Sequence, residues 1–334
     1  MLRPIPDELE GTMQNHQATP RICGSGYRDR AYDGYARAYD DLLQAYGVTA
    51  YPSYPRIGVG GRTFVARAGA GDPVVFLHGT PATSAVWVPL VAELAGVQAY
   101  LVDRPGHGLS DPLDYAMVDD LRAHAVGFVE RLLDALGAER AVLAGNSLGG
   151  LWALWSAVDL PERVSAVAAI GAPPGLLTPR LPRIFGPLSV PWIASLMQRL
   201  SPPSPRSTRR FFRRMGDPPA QLDDTLVAAF TEALRLPNAE GGMAHMVQRF
   251  VEWPGCFADR RLWFSAEELG EIRQPVLLVW GRDDFVADLT AAGRIVDSLP
   301  NASLVEAGTG HLPWLQEPRQ VADALGDFLR ARVT

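Results

Sequence analysis

The 334-residue sequence contains no lysine; all 31 of its basic residues are arginine. That absence removes every mechanism built on a primary amine: a Schiff base, a Ser-Lys dyad or a P-loop lysine. A GC-rich coding bias explains an arginine-only basic set without any functional demand. Cysteine is almost as scarce. Cys23 and Cys256 stand far apart, outside any C-x-x-C spacing, and read as free thiols; the alternative is a disulfide joining the N-terminal segment to the middle of the chain. The histidines His16, His78, His107, His124, His245 and His311 form no H-E-x-x-H and no close pair, which argues against a catalytic metal. Long apolar runs are missing too. The longest uncharged stretch, 141–158, is broken by Gly-Asn-Ser-Leu-Gly-Gly and cannot span a bilayer. The first ten residues lack the apolar centre of a signal peptide, so a cytoplasmic protein is expected. A net charge of −6 supplies no basic field for nucleic acid.

What is present centres on one stretch. Residues 141–144 (Ala-Val-Leu-Ala) are apolar, as in a buried strand. Gly145-Asn146-Ser147-Leu148-Gly149 then turns sharply, and Leu151, Leu154 and Trp155 continue at helical spacing. Glycine two residues before and two after a serine suits a strand-to-helix turn too tight for Cβ atoms at its flanks. The serine hydroxyl then points off the sheet edge, and the next amide faces the same spot from a helix N-terminus. G-x-S-x-G alone also fits an ordinary structural turn, so the rest of the chain must decide.

Tyr32, Tyr35, Tyr39, Leu42, Leu43 and Tyr46 fall on one helical face within an N-terminal extension, residues 1–50. Packing on the core is the simple reading; a dimer arm or a flap near the site is the sharper one. Residues 51–68 alternate around Gly58-Val-Gly-Gly61 as an antiparallel hairpin would. The strand at 73–77 runs into His78-Gly79-Thr80-Pro81. From there strands (97–102, 141–144, 164–170, 275–280, 302–306) alternate with helices (84–94, 118–136, 148–159, 287–298, from 319). This predicts an α/β fold: a mainly parallel, doubly wound sheet. Residues 173–272 interrupt it with prolines, the cluster Arg206, Arg209, Arg210, Arg213 and Arg214, and helical segments near 222–235, 239–251 and 266–272, without a strand signal. The expected organisation is a core of 51–172 and 273–334 with an inserted helical region of 173–272. Both ends of the insertion should emerge at the sheet edge that carries Ser147.

A serine needs a base, and the base needs an orienting acid, all beyond the C-terminal ends of strands. The strand ending at Trp280 runs into Gly281-Arg282-Asp283-Asp284, and the last strand runs into Gly308-Thr309-Gly310-His311. The order Ser, Asp, His is the one this architecture uses. With His78-Gly-Thr-Pro81, Asp103-Arg-Pro-Gly-His-Gly-Leu-Ser110, Gly145-Asn-Ser-Leu-Gly149, Trp280-Gly-Arg-Asp-Asp284 and Gly310-His311, the chain resembles the α/β-hydrolase superfamily, in its members with a helical cap. The resemblance covers residues 51–172 and 273–334. It implies Ser147 as nucleophile, His311 as base and Asp284 as orienter, with an oxyanion hole from the amides of Thr80 and Leu148. Asp284 is preferred to Asp283 because the family's acid lies three residues after the glycine that ends this strand, although Asp288 stands where a proline is usual. No cofactor and no metal are implied.

Serine at the elbow disfavours epoxide opening and halide displacement, which use a carboxylate there. Hydrolysis of an ester, thioester or lactone of moderate apolarity fits best. Asn146 is similar to the residue before the nucleophile in relatives that cleave carbon–carbon bonds in vinylogous diketones. Those enzymes usually have Trp after the histidine and a Gly-rich first loop, where this chain has Leu312 and Thr80-Pro81. Ligand receptors and non-hydrolytic catalysts also use this fold, but the complete Ser-His-Asp set argues for chemistry. His78 and His107 are expected to brace loops, and His124 to be ordinary core or surface. Trp192, His245, Phe250 and Trp253 are the candidate substrate-pocket residues, and Trp87, Trp152 and Trp263 could line a pocket but suit plain core as well. The arginine cluster reads as a solvated helix face, with a gate for anionic substrates as the alternative. Oligomeric state is left open.

Overall fold

The computed structural model describes residues 20–23, 30–58, 61–217 and 222–332. The first part of the expected N-terminal extension and His16 lie outside these residues. Strands β1 (Ala50–Ser53), β2 (Val65–Gly69), β3 (Asp72–Leu77), β4 (Val97–Val102), β5 (Ala141–Gly145) and β6 (Val164–Ile170) precede the insertion. Strands β7 (Val251–Glu252) and β8 (Cys256–Phe257) form a hairpin within it, and β9 (Val276–Trp280) and β10 (Ala302–Glu306) follow. The main sheet runs β1-β2-β4-β3-β5-β6-β9-β10. Only β2 runs against its neighbours; β3 to β6, β9 and β10 pair in parallel. A parallel strand is covered on both faces, which is why β5 and β9 are apolar at every position and buried throughout.

Helices α1 (Asp33–Ala45), α2 (Val88–Val91), α3 (Leu121–Ala135), α4 (Leu148–Asp159), α11 (Leu289–Ser298) and α12 (Pro318–Ala331) cover the two faces. Between β6 and β9 lie α5 (Phe185–Leu188), α6 (Pro191–Leu200), α7 (Pro205–Arg214), α8 (Asp224–Ala233), α9 (His245–Phe250) and α10 (Ala266–Leu269). Among the described residues, no helix is long and apolar enough to cross a membrane.

The insertion departs from expectation in three ways. It contains the short β7–β8 hairpin; a π-helical turn at Glu240–Ala244 precedes α9 where one continuous helix was expected; and α10 spans only Ala266–Leu269. The chain leaves at the C-terminal end of β6 but re-enters at the N-terminal end of β9, since Val276 pairs with Val167. The joint over the C-terminal edge lies earlier. There Phe264 N–H donates to the Gly175 carbonyl (2.7 Å) and Leu177 N–H to the Phe264 carbonyl (2.9 Å). After that joint the chain descends past α10 to Gln274, whose Nε2 donates to Ala157 and Pro161 carbonyls at the far end of α4. A crossover between parallel strands must return to the opposite edge, which is the reason one end could not stay at the top.

The tyrosine face of α1 packs inward. Tyr35 and Tyr39 are buried, and their hydroxyls reach Thr83 Oγ1 (2.7 Å) and Ser84 Oγ (3.1 Å) beside the first loop. Burial in apolar surroundings pushes both phenols well above their usual pKa. α1 also packs against α8, so it ties the insertion to the core. Trp87 stacks on Trp314 at 4.4 Å, and Trp314 Nε1 donates to the Val86 carbonyl (2.8 Å), joining the 84–87 turn to the segment after His311. Replacing a buried aromatic residue by alanine costs about 3–5 kcal/mol. Tyr39→Ala should therefore destabilise the chain by about that amount in urea unfolding. A loss under about 1 kcal/mol, the size of a surface change, would mean that α1 lies outside the cooperative core.

Candidate active site

β5 ends at Gly145 and α4 begins at Leu148, leaving two residues for the whole reversal. Ser147 absorbs it with φ 53° and ψ −122°, a left-handed backbone costing about 1–3 kcal/mol for a non-glycine residue. The flanks permit only glycine. A Cβ on Gly145 would overlap the Gly149 carbonyl, and one on Gly149 would overlap the Leu77 carbonyl. Asn146 is buried, and its Nδ2 donates to the carbonyls of Ile170 (2.8 Å) and His311 (3.2 Å). Its amide therefore couples the turn to the histidine loop, with both protons engaged.

His311 and Asp284 are buried and adjacent. His311 Nδ1 lies 2.9 Å from each Asp284 oxygen. Asp284 Oδ2 also accepts from Ala172 N–H, and Oδ1 from Val286 N–H, both at 2.8 Å. Three donors converge on the carboxylate, and it orients the ring with Nδ1–H toward it, leaving Nε2 for a substrate-side proton. Asp283 is exposed and does not touch the ring. His311 N–H donates to the Met215 carbonyl (2.9 Å), so the inserted segment also holds this loop.

Thr80 and Leu148 line the same pocket as Ser147. Leu148 is the first residue of α4, and its N–H has no carbonyl one turn back to serve. Gly79 sits tightly against the turn: a Cβ there would meet Ser147 Cβ at 2.9 Å. His78 braces this loop through Gly79 and Arg104, and His107 Nδ1 lies 3.0 Å from the Pro105 carbonyl. Burial, with the nearby Arg104 charge, holds His78 well below its usual pKa and lowers His107 to about 3, so both rings are neutral braces.

The pocket has a volume of about 50 Å³. Phe250, Met246, Val247, Phe185 and Phe257 line it from the insertion, and Val286 and Leu121 from the core. Trp192 and Trp253, expected there, are outside it, with 69% and 64% of their surface exposed. Apolarity said that they should be buried; their places on a short helix and in a hairpin turn put them on the outside. His245 is also elsewhere, with Nδ1 2.7 Å from Asp114 Oδ1 at the half-exposed surface. Trp87 and Trp152 are buried core, and Arg260 lies 4.1 Å over the Trp263 ring. Of the arginines, Arg209 pairs with Asp224 and Arg210 donates to Ser201 Oγ, while Arg206, Arg213 and Arg214 are exposed. None lines the pocket. Cys23 and Cys256 are free thiols.

The turn that carries Ser147 is thus bonded through Asn146 to the loop of the His311–Asp284 pair, and Thr80 and Leu148 share the serine's pocket. A serine, a base and backbone amides gathered in this way are the parts that attack on a carbonyl needs. Comparison with known proteins carries this further. The model of the alpha/beta hydrolase family matches residues 74–324. The chain belongs to the alpha/beta hydrolase family and is a hydrolase. A 2-hydroxy-6-oxononadienedioate/2-hydroxy-6-oxononatrienedioate hydrolase of Cupriavidus pinatubonensis is 32% identical over 278 residues, 78% of this chain and 89% of that protein. A 2-hydroxy-6-oxo-6-phenylhexa-2,4-dienoate hydrolase of Comamonas testosteroni is 30% identical over 79% of this chain and 90% of its own length. In fold, the carboxylesterase CesB of Bacillus subtilis superposes with TM-score 0.70 at 23% identity, covering 90% of this chain and 99% of that one. The meta-cleavage product hydrolase CumD of Pseudomonas fluorescens IP01 gives 0.64 at 22%, covering 81% and 94%.

Within this family scaffold no motif pointed to Asp217, three residues past the end of the arginine helix α7. It is buried behind the histidine loop, where Oδ1 accepts from Gln316 Nε2 (3.2 Å) and Leu312 N–H (3.4 Å) and Oδ2 has no partner. Only its contacts with residues about a hundred positions away reveal it. Burial raises its pKa from 3.8 to about 7, against the opposing pull of His311. The folded chain thus holds this proton more tightly than the unfolded chain. The stability it lends is full below about pH 4 and declines as pH rises toward 7, by about 1.4 kcal/mol per pH unit at most. Asp217→Asn removes that slope. In thermal melts the variant should gain on the natural chain between pH 4 and 7 and hold a constant lead above that; a pH-independent difference would contradict the assignment.

Proposed function

We propose that this chain is a serine hydrolase of carboxylic esters, thioesters or lactones, acting through an acyl-enzyme on Ser147. His311 Nε2 takes the Ser147 proton as Oγ attacks the acyl carbon. The approach of that nitrogen to the hydroxyl tightens in the substrate complex. The amides of Thr80 and Leu148 hold the oxyanion. Collapse expels the alcohol or thiol with the proton from His311. A water, deprotonated by the same ring, then releases the acid. Asp284 keeps the tautomer throughout. No cofactor is required, and the substrate is a moderately apolar small molecule met in the cytoplasm. The segment between the joint at Gly175–Leu177 and Phe264 acts as a cap, narrower than the expected 173–272, and supplies the wall that sets acyl size.

The observation that carries the ester reading is the lining. Only Thr80 and Ser147 are polar among the thirteen residues around the pocket, and none is charged. A neutral acyl group suits such a wall; a dienoate carboxylate would be buried without a partner, at a cost of several kcal/mol. Carbon–carbon hydrolysis is the second reading, favoured by the 30–32% identity to the dienoate hydrolases. Against it, both Asn146 amide protons are engaged by backbone carbonyls. A panel of p-nitrophenyl esters beside a 2-hydroxy-6-oxo-dienoate separates the two. Ester turnover should exceed dienoate turnover by orders of magnitude, and Ser147→Ala should lose about 10⁴-fold or more. Dienoate preference would reverse the assignment.

The same panel tests the cap. A pocket of about 50 Å³ admits short acyl groups. Phe250→Ala and Phe257→Ala should each raise the rate on hexanoate relative to acetate esters by about tenfold, the lower end of what one apolar contact discriminates. An equal change on every ester would remove these residues from specificity.

A further inference from the structure

We propose that Arg104 is a positioning residue for the oxyanion hole: its guanidinium polarises the Gly79–Thr80 peptide and the Thr80 hydroxyl toward the reacting oxygen. The inference rests on the reading of Ser147 and Thr80 given above. Arg104 has no exposed surface and sits directly behind the first loop. Its Nη2 donates to the Gly79 carbonyl (3.2 Å) and to Thr80 Oγ1 (2.6 Å). Its own N–H donates to His78 Nε2 (3.0 Å), which makes Nε2 the acceptor and puts the ring proton on Nδ1. His78 Nδ1–H then also donates to the Gly79 carbonyl, at 2.7 Å.

Two donors, one of them cationic, thus converge on a single carbonyl. That carbonyl and the Thr80 N–H belong to the same amide. Donation to the oxygen deepens the resonance of the planar peptide and leaves its N–H more positive. The Thr80 hydroxyl behaves alike: with its oxygen already accepting from Arg104, its proton is free to be given to the pocket that Thr80 lines.

A plain structural brace accounts for these bonds but not for the charge. Burying a guanidinium without a carboxylate costs several kcal/mol, and a neutral amide could tie the same loop. Among the described residues, no acid is bonded to the Arg104 guanidinium. The adjacent Asp103 carboxylate is engaged by the amides of Ser84 (2.7 Å) and Leu109 (2.8 Å). The guanidinium also lies over the Trp152 face at 4.8 Å, with the Tyr115 phenol nearby, while Nε and Nη1 have no hydrogen-bond partner among the described residues. Burial lowers its pKa only to about 10, so the charge persists at neutral pH. Its field is directed at the loop, where negative charge develops only in the transition state.

The test compares Arg104→Met, Arg104→Lys and Thr80→Val with the natural chain, on p-nitrophenyl acetate and with an alkyl trifluoromethyl ketone, whose adduct places an oxyanion in the hole. Arg104→Met should lower kcat by about 30-fold, less than the 10²–10³ for deleting an oxyanion donor outright. KM should move less than threefold, and affinity for the ketone should fall by the same factor as kcat. Arg104→Lys should recover most of both. Thr80→Val should lower kcat and ketone affinity about fivefold, and it decides the matter if Arg104→Met does not fold. Unchanged ketone affinity in the folded variants, or equal losses in Met and Lys, would overturn the proposal. Ser147→Ala runs alongside. Turnover by that variant would overturn the serine reading itself, whereas a silent Arg104→Met beside an inactive Ser147→Ala overturns this inference alone.

Discussion

The close contact of backbone on backbone at the turn after β5 governs the rest of the site. Because Gly149 lies against the Leu77 carbonyl, the C-terminal ends of β3 and β5 cannot separate, and His78, Gly79 and Thr80 are held beside Ser147. Because Asn146 bridges Ile170 and His311, the end of β6 and the histidine loop are drawn to the same point. Asp284 closes the arrangement by accepting from Ala172 just past β6. Five neighbouring strand ends, those of β3, β5, β6, β9 and β10, thus converge through one close backbone contact and through the Asn146 and Asp284 side chains bonded to main-chain groups. The candidate catalytic side chains inherit their positions from the sheet. The left-handed backbone of Ser147 persists because every neighbour is fixed in this way.

Much of this was legible in the residues, and for a physical reason. A turn of two residues between strand and helix demands glycine at fixed offsets, so G-x-S-x-G reports a local geometry. The loops that hold Asp283-Asp284 and His311 followed from the ends of strands whose apolar runs are unmistakable, and the choice of Asp284 over Asp283 came from the resemblance to the family. What lay beyond reach depends on contacts far apart in sequence. Trp192 and Trp253 are apolar, yet apolarity does not say which side of a short inserted helix or turn faces inward, and both are exposed. Phe250, one turn past His245 on α9, lines the pocket, while His245 itself turns outward to Asp114. The return of the insertion to the far end of the sheet was implicit in the parallel pairing of β6 and β9, which a purely linear reading did not use.

Among the buried ionisable groups around the site, outside the Ser-His-Asp set, three have opposite tendencies. Arg104 stays charged beneath the first loop, His107 stays neutral beside it, and Asp217, raised to about 7, waits behind the histidine loop. Positive charge therefore lies on the oxyanion side, and the acid nearest His311 apart from Asp284 is easily neutralised. That asymmetry suits a reaction in which negative charge forms at the acyl oxygen while His311 becomes a cation.

The proposed mechanism passes through a covalent acyl intermediate on one serine, Ser147. Quenching the enzyme in acid within milliseconds of mixing with p-nitrophenyl acetate, then digesting it and measuring peptide masses, reads that intermediate directly. A single acetyl adduct on the peptide carrying Gly145-Asn146-Ser147, appearing at the rate of the nitrophenol burst, is the expected result. Full turnover with no adduct, or an adduct confined to any other residue, would rule out Ser147 as the nucleophile.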